Sequence, residues 1–386
     1  MLIRKTTLLA CASACALLVA FTPTAASAAG GAYGWSPRVL GDMAVSQDNS
    51  LFRPSSHGMI VSPEWVSVTD LRTGRGTRLF DHCPPGSHTL VRLGEPVIAG
   101  GSVYVLVLVG PDAHEDEQTT SGTALCRAIS AVVDPSNTGA FDEQLRLVRL
   151  TDMGRTLTIV GGPLPVPAID KVNLVAVKDR LVLSAGDQAA AFDAATQTFG
   201  PFQAAAGFGL RQKEGFAIDP MDGARTLPDG RRWLHDNTAD RVLLESRSGR
   251  ITSRRFGPAR VRMPLDGYPA CGRSIPVALK PSSAMIAADG RTVWALGGGR
   301  TTTHRCRDGQ TWSISLRTVL LRTTDQGRTW KLVALVPRSI EDSMVAAVPN
   351  AGTVILIDED ADFGINIRTR FHHGRFTRLR GHLTGR

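Results

Sequence analysis

Hydrophobic residues in this chain of 386 come in short runs rather than long periodic stretches. Apolar or alternating segments recur at 65–68, 103–109, 145–150, 181–184, 242–245, 292–296, 318–322 and 354–357, separated by Gly, Asp, Asn and Pro. Runs of that length bounded by turn formers predict β-strands joined by tight turns. No segment carries the 3.6-residue period of a long amphipathic helix. The expectation is an all-β chain.

One apolar run differs in kind. Arg4 and Lys5 lead into the apolar residues 8–21 and then Ala26-Ser27-Ala28, the layout of an export signal cleaved before Ala29. The run is too short to span a bilayer comfortably, and no later one reaches the roughly 18 apolar residues of a membrane helix. This predicts a secreted chain with no transmembrane segment: a signal peptide at 1–28, a lead-in at 29–37 and one domain over 38–386. A lipid anchor is the competing reading, because Leu8-Leu9-Ala10-Cys11 and Ala12-Ser13-Ala14-Cys15 faintly resemble lipoprotein cleavage sites.

The strand pattern repeats. Residues 66–80, a strand-turn-strand containing Gly74, correspond to 241–256 containing Gly249, at an offset of 175. Residues 147–157 correspond to 319–330, with Asp152 and Asp325 offset by 173, and 181–183 to 354–356, again by 173. Three ordered landmarks at a near-constant offset predict duplication of a three-unit block, with units near 38–80, 84–168, 170–202, 203–257, 258–338 and 339–381. Self-similar β units with an inner strand and an outer hairpin are the signature of a propeller. A six-bladed β-propeller in a three-plus-three arrangement is expected, with seven blades as the alternative. Insertions in the second and fifth units account for their length.

The cysteines obey the same repeat. Beyond the signal stand Cys83, Cys126, Cys271 and Cys306, an even number with no close pair at zinc-ligand spacing. Pairing within each insertion-bearing unit predicts the disulfides Cys83–Cys126 and Cys271–Cys306. Pairing across the halves would join opposite sides of a ring, beyond disulfide reach.

The most specific string is TTDQGRTW at 323–330. It suits a hairpin turn: Asp325 can accept turn amide hydrogens, Gly327 can take positive φ, and Trp330 can fold between sheets, with Thr323 and Thr329 at the flanks. A degenerate copy at 151–157 keeps Asp152, Gly154 and Thr156 but has Leu157 in place of tryptophan. Looser echoes at 289–294 and 229–233 read as ordinary β-turns. The string resembles the Asp-box, or bacterial neuraminidase repeat, of sialidases and related six- and seven-bladed propellers, which include glycan-binding and assembly proteins without sialidase activity. The resemblance implies fold. It places the box between the third and fourth strands of a blade, away from the central pocket, in a structural role.

A sialidase-like site would need three arginines for a carboxylate, a tyrosine activated by a glutamate, and an acid or base aspartate. The chain has only three tyrosines. Tyr33 adjoins the cleavage site, Tyr104 lies inside an apolar strand, and Tyr268 reads as a loop residue beside Cys271, too early in the chain for the nucleophile's usual place. No catalytic residue is assigned. Phe52-Arg53-Pro54 is a shortened form of the string that carries the sialidases' first arginine, which makes Arg53 a candidate anion contact. Asp358, Asp360 and Asp362 alternate as a weak calcium candidate, but Gly364 comes one place late and Thr369 stands where an EF-hand places glutamate. The acidic residues at 112–117 read as a surface loop and His372-His373-Gly374 as a turn. No cofactor or metal is expected.

Charge narrows the partners. The formal net charge of +9 falls to +7 once the signal is removed, and the arginines look scattered, often beside acids as in Asp240-Arg241. Without a basic and aromatic stripe, specific nucleic-acid binding is not expected. An anionic glycan, a protein ligand or an anionic envelope polymer fits better. The expected function is a non-enzymatic glycan- or protein-binding module at the cell envelope, presenting the loops near Asp112 and 299–307. An exo-acting glycoside hydrolase with an altered site is the rival, and an envelope assembly factor a third reading.

Overall fold

A computed structural model describes residues 38–385 except 41–42, 48–50, 56–57, 64, 81–88, 112–123, 132–142, 167–170, 214, 220, 222–224, 228, 237–240, 266, 288, 341–343, 351, 361–364 and 380–382. The described chain is nearly all β, arranged in small, mostly antiparallel sheets. The larger sheets are labelled I to VI in chain order. Sheet I contains Arg38–Leu40, Met43–Gln47, Trp65–Asp70 and Gly76–Phe80; sheet II contains Thr89–Ala99, Ser102–Pro111, Gln144–Thr151 and Thr156–Val160. Sheet III starts from Lys171–Val177, Arg180–Ala185 and Gln188–Asp193, and sheet IV comprises Arg225–Thr226, Arg232–Asp236, Arg241–Glu245 and Ile251–Arg255. Sheet V comprises Ser282–Ile286, Val293–Gly297, Val319–Thr323 and Lys331–Leu335, and sheet VI comprises Met344–Asn350, Thr353–Asp360, Ile365–His372 and Arg375–Arg378.

All the expected strand segments fall on strands, with Thr292 and Thr318 one residue outside them. The landmarks paired by offset also occupy matching places. Gly74 and Gly249 lie in the turns closing the last hairpins of sheets I and IV, and residues 181–183 and 354–356 lie in the second strands of sheets III and VI. Among the described residues no helix is long and apolar enough to cross a membrane.

Packing explains why some strands read as continuous apolar runs. Val103, Val105, Val107 and Val109 pack with Val66 and Val68 of sheet I, whereas Tyr104, Leu106 and Leu108 pack with Leu181 and Leu183 of sheet III. A strand buried on both faces loses the apolar-polar alternation of a half-exposed one. The same sharing recurs further along the chain. Trp233 and Val242 of sheet IV meet Val293 and Leu321 of sheet V, whose Trp294 and Leu320 meet Val354 and Phe371 of sheet VI. Ile355 and Ile357 of sheet VI then pack with Ala44 and Leu71 at the start of the chain. Sheet III reaches forward through Val175 and Val182, which pack with Ala217 of a small hairpin, Arg211–Lys213 with Phe216–Ile218.

Three features depart from the sequence reading. The hairpin Leu51–Ser55 with Gly58–Ser62 leaves its unit: Gly58–Ser62 pairs in parallel with Lys171–Val177 of sheet III and lies against Thr89–Ala99. The strand Leu383–Gly385, beyond the expected end of the last unit, pairs in parallel with Gly76–Phe80. The two insertions are also unlike each other, because sheet II carries a seven-residue helix, Ala124–Ser130, while the fifth unit carries two hairpins. Two helical turns are too few to leave a periodic signature.

Candidate functional site

The insertions of the fifth unit build the most distinctive surface. Ala259–Pro264 alternates buried and exposed residues, turning Val261 and Met263 inward and Arg260 and Arg262 outward, and pairs with Ser274–Leu279. A second hairpin joins Thr301–Arg305 to Thr311–Ser315. Its turn is organised by Asp308, which accepts hydrogen bonds from the Gln310 amide at 3.0 Å and the Trp312 indole at 3.1 Å. At one end the hairpins are joined by the disulfide Cys271–Cys306, with Cα atoms 4.4 Å apart. The Arg307 amide also donates to the Ala270 carbonyl at 3.1 Å, and Tyr268 meets Trp312 edge-on at 6.4 Å. Tyr268 is thus committed to packing beside Cys271.

Away from the staple lies a cleft of about 320 Å³, lined by 275–280 and 300–304 with Gly298 and Leu316. Lys280, Arg300 and His304 are among its lining residues and no carboxylate is. The segments 259–280 and 300–317 together hold eight arginine and lysine residues against two aspartates, a net +6 out of the chain's +9. Most of the chain's 44 arginine and lysine residues remain scattered, but the excess of positive over negative charge is concentrated here. The charge looks diffuse in sequence because two hairpins, separated by strands of sheet V, are brought together by one disulfide.

The turn at 323–330 joins the third and fourth strands of sheet V. Thr323 Oγ1 donates to Asp325 Oδ1 at 2.6 Å and accepts from the Gly327 amide at 3.1 Å. The Thr329 amide and hydroxyl donate to the two Asp325 oxygens at 3.0 and 2.7 Å. Partial burial acts to raise the Asp325 pKa, but the hydrogen bonds from Thr323, Thr329 and the Arg328 amide outweigh it and hold the carboxyl at about 2. Gln326 and Gly327 take φ of 62° and 84°. Trp330 meets Phe256 edge-on at 5.2 Å, and the Gly327 carbonyl accepts from the Gly257 amide at 2.8 Å. The functional groups of this turn are spent on folding it and seating it against the chain leaving sheet IV.

The copy at 151–157 keeps the docking and loses the network. Asp152, Met153 and Gly154 all have positive φ, and Gly154 lies against Val68 and Thr77 of sheet I. Asp152, with 62% of its side chain exposed, stands 3.8 Å from the Arg155 guanidinium, and Thr156 opens the next strand. Asp289 and Asp229 organise ordinary turns, as expected. Burial acts to raise the Asp289 pKa, but hydrogen bonds from Thr292 and Arg291 lower it overall.

A buried ionic cluster was not legible in sequence. Arg232 donates to Glu245 Oε2 and Asp219 Oδ2, each at 3.0 Å, and to the Met221 carbonyl at 3.0 Å. Lys178, from the first turn of sheet III, lies 3.9 Å from Glu245. Both carboxylates are held by one guanidinium and bridge sheet IV to its neighbour, the arrangement of a structural ion pair.

None of the remaining candidates is among the cleft's lining residues. Arg53 pairs by its backbone with Ile60 in the relocated hairpin. Asp358 and Asp360 pair with Ile367 and Ile365 in a hairpin of sheet VI, while Asp362 and the loop 112–117 lie outside the described residues. His373 and Gly374 form the expected turn, with φ of 46° and 77°. Cys126 is disulfide-bonded, and Cys83 lies outside the described residues. Tyr104 is buried in sheet II.

These features define an all-β protein of small sheets in succession, carrying a disulfide-stapled cationic appendage. No known family profile matches the chain, and no curated protein is detectably similar to it. Among solved structures it is similar to β-propeller proteins, at low identity. Virginiamycin B lyase from Staphylococcus aureus aligns at 11% identity over 87% of this chain and 88% of that one, with a TM-score of 0.27. A streptogramin B lyase aligns at 11% over 87% and 86%, with a TM-score of 0.28, and YCF48 bound to D1 peptide at 12% over 91% and 98%, also with 0.28.

Proposed function

We propose that this protein is a secreted six-bladed β-propeller of the Asp-box type, built by three-plus-three duplication, that works as a non-enzymatic binding module for an anionic glycan or protein at the cell envelope. Support for the blade count comes from cores shared across sheets I to III and across sheets IV to VI, with sheet VI packing back on sheet I. The observation that carries the binding role is the concentration of positive charge on the stapled hairpins beside the cleft. A cationic surface attracts and orients polyanions from a distance. Most glycosidases outside the tyrosine-using sialidases need two apposed carboxylates, and among the described residues the buried pair Asp219 and Glu245 is engaged by Arg232.

The test is binding of purified protein to a glycan array and to anionic peptides, beside an assay with a fluorogenic sialoside. We expect retention of anionic ligands that weakens with salt, and loss of it in the triple variant Arg300→Glu, Arg305→Glu, Arg307→Glu. Turnover of the sialoside that disappears in Arg53→Ala would instead establish the hydrolase.

A further inference from the structure

The edge geometry of the cleft narrows what the anionic partner is. Among the described residues, Thr301–Arg305 pairs only with Thr311–Ser315. The Leu316 amide donates to the Arg300 carbonyl and the Cys306 amide to the Gln310 carbonyl, each at 2.9 Å. Those bonds fix the phase, because bonded and non-bonded positions alternate along an antiparallel pair. Residues 300, 302, 304 and 306 bond within the hairpin, and the N–H and C=O of Thr301, Thr303 and Arg305 point away from it. All three residues are exposed.

The lining of the cleft agrees. A strand's face presents every second residue, whereas its edge presents consecutive ones. The cleft is lined by the unbroken run 300–304, so it follows the backbone edge of Thr301–Arg305. The opposite wall is 275–280, from Ser274–Leu279. There the Leu265 amide bonds to the Arg273 carbonyl, and the same alternation turns Pro276 outward. Proline offers no N–H and blunts an edge. One wall can accept a new strand and the other resists it.

We infer that Thr301–Arg305 is the docking edge for an extended acidic polypeptide segment, which adds to the hairpin as a further strand and sets carboxylates on its two faces against Arg300 and Arg305. This rests on the anion-binding reading above and commits it to a peptide. Main-chain hydrogen bonds to Thr301, Thr303 and Arg305 hold the segment, and the arginines select acidic side chains. A polysaccharide could use the same arginines but has no peptide backbone to pair with this edge.

The test uses the full chain with its disulfides intact and, as probe, an octapeptide of glutamate pairs alternating with valine pairs, which carries carboxylates on both faces of an extended strand. We expect it to bind, and to bind at least tenfold more weakly when every amide is N-methylated at unchanged charge, so that neither edge of the peptide can pair. Thr303→Pro removes an outward N–H without touching the bonds to Thr311–Ser315, and should lose at least tenfold, while Thr303→Ala stays within twofold. The N-methylated peptide reads the same contact without altering the protein, should Thr303→Pro fold poorly. Equal binding of the methylated peptide overturns strand addition and leaves the anion-binding reading standing. Equal binding of the glutamine analogue overturns selection for acid. Binding of a heparin-derived oligosaccharide without the peptide transfers the site to glycans and overturns this inference alone. If no anionic probe binds, the broader reading fails with it.

Discussion

At Gly327 the backbone takes φ of 84°, and the space a Cβ would need is occupied by the Phe256 ring. Gly309 takes φ of 79° with nothing within 4 Å of its would-be Cβ. Alanine at Gly309 should therefore cost only the roughly 1 kcal/mol of a left-handed backbone. At Gly327 the ring adds a clash of about 1–3 kcal/mol more, which paired urea titrations of the two variants would resolve. Asp325 gives a pH test. Its folded pKa of about 2 lies below the roughly 3.9 of an unfolded aspartate, so its contribution is present above about pH 4 and is lost as pH falls toward 2. Asp325→Asn should lose about 1 kcal/mol at neutral pH and flatten that part of the acid unfolding profile. The internal roles of Asp325 and Gly327 are legible in sequence because their partners stand within four residues. Phe256, 71 positions away, is not.

Hairpins and turns carry the next level of stability. The Cys271–Cys306 bridge closes a separation of 35 residues and, by chain-entropy arithmetic, contributes about 4 kcal/mol. The double variant Cys271→Ser, Cys306→Ser should unfold at lower denaturant and lose retention of anionic ligands together, since the bridge aligns both walls of the cleft. Arg232→Met should cost about 3–5 kcal/mol, because Asp219 and Glu245 would remain buried without their guanidinium. Neutralising both carboxylates in the same variant, as Asp219→Asn and Glu245→Gln, should recover part of that loss in a denaturant melt. The strands were readable because each is a short apolar run between turn formers. The Cys271–Cys306 bridge followed from the repeat, but the asymmetry of the insertions did not. Ala124–Ser130 is too short to show a period, and the hairpin 51–62 reads as a local pair whichever sheet receives it. The cleft was invisible because its walls come from segments that only the folded chain brings together.

At the scale of the molecule, cores run across sheets I to III and across sheets IV to VI, and sheet VI packs on sheet I. The landmarks spaced by about 173 residues fall at matching strands and turns of these sheets. They could not reveal the contact of sheet VI with sheet I, or the pairing of 76–80 with 383–385, which lies outside them. Leu383–Gly385 aligns with Gly76–Arg78, and Arg370 donates to the Arg72 carbonyl at 2.9 Å, so the last residues complete the first sheet. Deleting 383–385 should lower stability and make the loss of structure begin at sheet I, which hydrogen exchange of the Gly76–Phe80 amides would show as early loss of protection. The same contact sets a timetable. While the chain is being synthesised, the outer edge of Gly76–Phe80 waits for a partner some 300 residues behind it. An open edge held that long is a site for pairing with the wrong chain, and closure at such separation is slow. Nascent and truncated chains should therefore be the forms that associate through sheet I, which ties the handling of this protein before completion to three residues at its far end.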